Sequence, residues 1–254
     1  MATASIERTE FIDEGAGEEC IVLLHGWCCR TGDFVPVVER LRAHYRVVVP
    51  DWGTRALNRG GVVSLPEIAA DLISSLDERG VRTPLLCGHS QGGFLAAWLA
   101  QELSFPIRGL LALEAVLPVS SELARSFLEW IPFLNQDSIQ KFWNETLHDV
   151  FFVESDAAPL VDSISRGMLS QPLEFACGLL NANCSIDLDE SLTRIKVPVH
   201  LLKAQRTPID FAGLQDRIPQ ATCESIADAG HFIMIFHTDR VVDAIRRMTN
   251  ENAT

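Results

Sequence analysis

Residues 88–93 read Gly-His-Ser-Gln-Gly-Gly. A short apolar run, PLLC (84–87), precedes them, and a longer one, FLAAWLA (94–100), follows. The first has the length of a buried strand and the second the length of a helix. A sharp strand-to-helix turn lifts the Ser90 hydroxyl clear of the sheet, and Gly88 and Gly92 allow the backbone to pass close by. The start of the helix also points its free N–H groups at the same place. The competing reading is a glycine-rich turn with an incidental serine, and the flanking strand and helix weigh against it.

The same alternation extends outward along the chain. IVLLHG (21–26) reads as a buried strand entering a loop, and YRVVVPDW (45–52) as the next, stopped by Pro50. Between them DFVPVVERLRAHY (33–45) is amphipathic, with Pro36 confined to the first turn of its helix. LPEIAADLISSLDERG (65–80) carries an apolar stripe of Leu65, Ile68, Ala69, Leu72, Ile73 and Leu76, with Pro66 early and Gly80 as a stop. IRGLLALEA, VPVHLLKA and ATCESIAD read as further strands, and DRVVDAIRRM as a closing helix. Continuous apolar strands alternating with helices predict an α/β fold with a mostly parallel sheet covered on both faces. Residues 118–190 break the rhythm and show only helical periodicity. We expect a core of residues 1–117 and 191–254 and a helical cap of 118–190 over one end of the sheet.

Composition narrows the function classes. The 254 residues carry a formal net charge of −13, which disfavours nucleic acid and anionic membrane as partners. No apolar run reaches a bilayer span, and MATASIERTEFIDEG lacks the apolar core of a secretory signal. The seven cysteines are an odd set without CxxC or Cys/His metal spacing, so they read as reduced thiols in a cytoplasm. The acids of DLDE (187–190) read as a solvated turn. No metal and no cofactor is expected.

With HGW (25–27), PDW (50–52) and AGHF (229–232) in order around GHSQGG, the chain resembles the α/β-hydrolase superfamily over nearly its whole length. The resemblance implies roles. Ser90 would be the nucleophile and His231 the base; His237 is a weaker alternative because it falls near a helix start. The backbone N–H groups of Trp27 and Gln91 would form an oxyanion hole. His25 belongs to the HG turn, and His89 is expected to point away from the serine.

The acid is the irregular feature. The superfamily's common position is the loop after VPVHLL, where this chain has Thr207, with Asp210 three residues later and beyond Pro208. The alternative position is the end of the strand that follows the serine helix, and there stands Glu114 among apolar neighbours. A buried carboxylate requires partners, so Glu114 is preferred over Asp210.

Two branches of the superfamily place the acid there. Glu114 and Thr207-Pro208 are similar to zearalenone-type lactonases. GWC (26–28), VVPDW (48–52) and the acid-free late loop are similar to cofactor-independent 3-hydroxy-4-oxoquinoline 2,4-dioxygenases, in which the His/acid pair deprotonates the substrate and serine is a hydrogen-bond partner. Those dioxygenases tend to have His and Asp where this chain has Gln91 and Glu114, and GTRALNRGG (53–61) departs from the usual loop after PDW. The first expectation is therefore an ester or lactone hydrolase for a hydrophobic or aromatic small molecule, the second a cofactor-free dioxygenase, and the third a non-catalytic receptor. His25, Trp130, Trp143 and Phe232 are the expected pocket residues. Oligomeric state is not legible.

Overall fold

The computed structural model describes residues 11–53, 63–115, 117, 121–186 and 188–250. Seven strands form one sheet: β1 (Phe11–Glu14), β2 (Cys20–Leu24), β3 (Arg46–Pro50), β4 (Leu85–His89), β5 (Gly109–Leu113), β6 (Val199–Ala204) and β7 (Ala221–Ile226). Their order is β1-β3-β2-β4-β5-β6-β7. Only β1 runs antiparallel to its neighbour; every other pairing is parallel. This is the mostly parallel α/β architecture that the alternating apolar runs predict.

The central strands β2, β4 and β5 are buried at every residue, which explains their lack of polar alternation. Helices α1 (Val35–Leu41), α2 (Leu65–Glu78), α3 (Gln91–Glu102) and α8 (Thr238–Asn250) cover them. Helices α3 and α8 lie against β4 and β5, while α2 packs on α3 and α1 on α8. Pro66 stands in the first turn of α2, and Ser64 caps it by accepting from the Glu67 N–H. Gly80 follows the helix at φ +66°, a conformation that favours glycine.

Between β5 and β6 the described residues are helical or irregular: α4 (Ser121–Leu128), a run of short helical turns from Ile131 to Phe151, α5 (Ala158–Leu169) and α6 (Leu173–Cys184). The turn Trp143–Leu147 is π-helical. Helix α7 (Phe211–Arg217) separates β6 from β7. The loop 53–61 beyond Gly53 lies outside the described residues, as do residues 118–120 at the expected start of the cap, Asp187 of the DLDE turn, and residues 1–10.

Parallel pairing places the C-terminal ends of β2, β4, β5, β6 and β7 along one edge of the sheet, where sites in such folds form. Register makes this specific. His89 pairs with Leu113 and Leu113 with Leu202, so Ser90 and Glu114 leave the sheet side by side. The Ser90 N–H donates to Leu113 O at 2.8 Å, and the Glu114 N–H to Leu202 O at 2.9 Å.

Candidate active site

Ser90 sits at φ +53° and ψ −123° between β4 and α3. Such a backbone costs about 1–3 kcal/mol for a non-glycine residue and persists only where its surroundings impose it. The glycines around it make the turn possible. A Cβ on Gly92 would meet Leu24 O at 2.2 Å and His25 O at 2.4 Å, and one on Gly88 would meet Gly92 O at 2.1 Å. The loop after β2 therefore lies directly against the serine turn. Glu114 at φ +50° and Cys28 at φ +55° share this left-handed backbone, so three of the loops at this edge are strained.

Glu114 is 4% exposed and well partnered. Its Oε1 accepts the Ala204 N–H in a short hydrogen bond. Its Oε2 accepts from the Thr207 hydroxyl at 2.8 Å and faces His231 Nδ1 at 3.3 Å. Thr207 thus donates to the carboxylate that the neighbouring strand β5 supplies. Asp210 does something else: its Oδ1 accepts the Gly213 N–H at 2.9 Å and caps α7 from an exposed position.

His231 is held from three sides. Its N–H donates to Phe151 O at 2.7 Å, and its ring packs against Phe151 with centroids 5.3 Å apart. The His89 ring lies 4.6 Å from the His231 ring, and His89 Nε2 bonds His231 O at 2.9 Å. A carbonyl only accepts, so His89 Nε2 carries the proton. His89, expected to point away from the serine, instead packs its ring against that of His231 and lines the same cavity.

Burial, then the neighbouring His231, holds the His89 pKa well below the ordinary 6.5 and keeps the ring neutral. Below about pH 6.5 the unfolded chain binds a proton at His89 that the folded chain does not, so stability falls by up to about 1.4 kcal/mol per pH unit of acidification. His89→Gln keeps a donor for His231 O but does not titrate. Urea unfolding from pH 7 to pH 5 should show the parent losing stability relative to this variant. A difference that stays constant with pH would contradict the buried neutral histidine.

Ser90, His231 and Glu114 border one cavity of about 360 Å³. Trp27, Phe94, Phe127, Trp130, Phe151 and Phe232 stand on its wall, beside polar residues that include Asp149, Asn183, Arg206 and Thr207. Trp130 and Phe232, expected at the pocket, are there; His25 and Trp143 are not. His25 stacks on Trp52 at 4.8 Å, places Nε2 3.8 Å from Asp51 Oδ1, and borders a second cavity of about 210 Å³ beside the β2 loop. Trp143 is buried in the helical segment against Phe151, with centroids 5.9 Å apart. Helical periodicity alone did not tell which of the two tryptophans faces the cavity. The Trp27 indole spans core and helices by donating to Ala176 O at 2.9 Å.

Arg206 was not foreseen. Its guanidinium donates to Asp149 O at 2.9 Å and Val150 O at 2.8 Å, tying the loop after β6 to the helical segment over the site. The thiols offer no alternative nucleophile. Burial pushes the Cys29 thiol, on the cavity wall, well above its ordinary value, and it does the same to Cys28. Among the described residues, no group of three His, Cys, Asp or Glu could hold a metal ion. Nor is any helix there long and apolar enough to cross a membrane.

Comparison with known proteins agrees with the fold. The chain is 27% identical over 252 residues to a pimeloyl-[acyl-carrier protein] methyl ester esterase of Pectobacterium atrosepticum, covering 91% of this chain and 94% of that one. A thermophilic esterase from Thermogutta terrifontis superposes with a TM-score of 0.81 at 24% identity, over 96% of this chain and 93% of that one. AqDC, solved for its recognition and ring-cleavage of the Pseudomonas quinolone signal, superposes with a TM-score of 0.79 at 18% identity, over 94% and 95% of the two chains. The alpha/beta hydrolase family model matches residues 21–244, and the chain belongs to that family.

Proposed function

We propose that the protein is a serine esterase or lactonase acting on a small hydrophobic or aromatic substrate through Ser90, His231 and Glu114. One observation carries the reading: a strained Ser90 faces the same cavity as a histidine whose Nδ1 meets a buried carboxylate. Glu114 accepts from His231 Nδ1 and so leaves Nε2 as the basic nitrogen. His231 takes the Ser90 proton as Oγ attacks the carbonyl, then returns it to the leaving alcohol. The Trp27 and Gln91 backbone N–H groups hold the oxyanion, and water releases the acyl-enzyme. The likeness to a methyl ester esterase over most of both chains supports ester chemistry.

A second reading has its own support. The acid stands after β5, as in the cofactor-free dioxygenases that the sequence resembles, and AqDC is among the structural neighbours. In that reading His231 and Glu114 take a proton from a hydroxyl of the substrate, and the resulting anion meets oxygen. Turnover of p-nitrophenyl acetate, methyl phenylacetate and dihydrocoumarin, with an oxygen electrode in parallel, separates the two. We expect ester or lactone cleavage without oxygen uptake. Uptake with a 3-hydroxy-4-quinolone and no ester turnover would reverse the assignment.

A further inference from the structure

The chain from Trp143 to Phe151 is helical, first π and then α, and the helix stops where Phe152 turns extended at φ −120° and ψ 162°. A helix end leaves its last carbonyls without intrahelical donors, and each must find one elsewhere. Here the account closes residue by residue. His148 O accepts the Phe152 N–H at 2.9 Å. The Val153 N–H, next in line, goes to Asp156 Oδ2 at 3.0 Å instead of Asp149 O. Asp149 O and Val150 O take the two arms of the Arg206 guanidinium, at 2.9 and 2.8 Å. Phe151 O takes the His231 N–H at 2.7 Å. Consecutive carbonyls of the helical segment are thus capped by two loops, one holding the acid and the other carrying the base. A cation at this end also meets the negative pole of the helix.

Both loops are built for this contact. A Cβ on Gly230, just before the base, would lie 2.7 Å from Phe151 O, so the close approach needs glycine. Phe152 stacks on Phe232, just after the base, with centroids 5.4 Å apart. In the other loop, the Ala204 N–H and the Thr207 hydroxyl hold the two Glu114 oxygens, and Arg206 stands between them in sequence. Lys203 Nζ ties the same loop by donating to Thr207 O at 2.7 Å. The His231 peptide is therefore gripped on both sides. His89 holds its carbonyl from the core, and the helical segment holds its N–H. We infer that Arg206 is a positioning residue for His231. By clamping Asp149 O and Val150 O it seats the helix end, and Phe151 O then holds the base in line with Glu114. Seating of the helical segment and alignment of the base are one event, so the serine is activated only beneath a seated segment. The inference rests on the reading of His231 as the base.

Arg206→Met keeps an apolar stem and removes the donors; Arg206→Lys restores a cationic donor. The first readout is amide hydrogen exchange resolved by NMR, which needs no substrate. In Arg206→Met the His231 N–H should exchange at least about 10-fold faster than in the parent, while the amides of β4 keep their parent rates. Arg206→Lys should recover part of the protection. The second readout is turnover of p-nitrophenyl acetate. A base displaced by a fraction of an ångström loses rate more than binding, so kcat should fall by about 10-fold in Arg206→Met with KM within about 3-fold of the parent. Arg206→Lys should recover part of kcat as well. Parent-like exchange at His231 in Arg206→Met would overturn the inference. So would acceleration of every amide together, which would mean that Arg206 serves only overall stability. Faster exchange with an unchanged kcat would overturn it too. In a parent that turns over no ester, the exchange pattern alone decides whether Arg206 seats His231, so failure of the hydrolytic reading is distinguishable from failure of this one.

Discussion

Ser90→Ala is expected to lower ester or lactone turnover by about 10⁴–10⁶-fold while leaving the protein folded. The substitution keeps the Cβ, so it adds nothing to the strain already present at φ +53°. It removes only the hydroxyl that would form the proposed acyl-enzyme. The backbone donors of Trp27 and Gln91 stay in place, so a small residual rate above that in water should survive. The expectation is specific to covalent catalysis. Were the His231–Glu114 pair only a base for substrate deprotonation, the same variant would lose far less activity. Pre-steady-state kinetics with excess chromogenic ester decide the matter, because the burst of alcohol that precedes steady state should vanish in the variant.

Glu114→Gln should lower kcat by about 10⁴-fold with little change in stability. The glutamine carbonyl can still accept the Ala204 N–H, and its NH₂ then faces the Thr207 hydroxyl and His231 Nδ1. An amide N–H aimed at Nδ1 favours the tautomer with its proton on Nε2. That nitrogen can no longer take the proton from Ser90. The imidazolium that forms during attack also loses its counter-charge. Asp210→Ala is the matched control. Asp210 caps α7, so its loss should cost about 1 kcal/mol of stability and leave kcat close to that of the parent. The opposite pattern, an active Glu114→Gln and an inactive Asp210→Ala, would move the acid back to the loop after β6.

The chain's architecture is legible from its sequence because the central strands are buried on both faces and therefore read as unbroken apolar runs. The serine turn is legible because its glycines sit where an added Cβ would lie as close as 2.1 Å to a backbone oxygen, which no side chain survives. Edge strand β1 is not legible in the same way: FIDE has two apolar residues and is half exposed, and its partner β3 lies far along the chain. Helix α7 begins with a capping aspartate, Asp210, which the sequence alone offers only as an alternative acid. At the site, the resemblance to the superfamily points to Glu114, and its apolar neighbours imply partners for a buried carboxylate. The partners were hidden because they come from another strand: Thr207 looks like a missing acid until the sheet register sets it beside Glu114. His89 shows the limit of strand geometry. Alternation assigns a side chain to a face, and it does not tell how far a long ring reaches past the strand end. The same limit applies to Trp130 and Trp143, which share a helical segment and point to different environments.

The central claim is that Ser90 is an activated nucleophile, and intact mass after exposure to a small fluorophosphonate tests it most directly. The account predicts one adduct on the parent protein and none on Ser90→Ala. It also predicts labelling slowed by orders of magnitude in His231→Ala, because a serine hydroxyl without its base is a poor nucleophile. A folded parent protein that takes up no label would contradict the account, and so would one labelled equally well without His231.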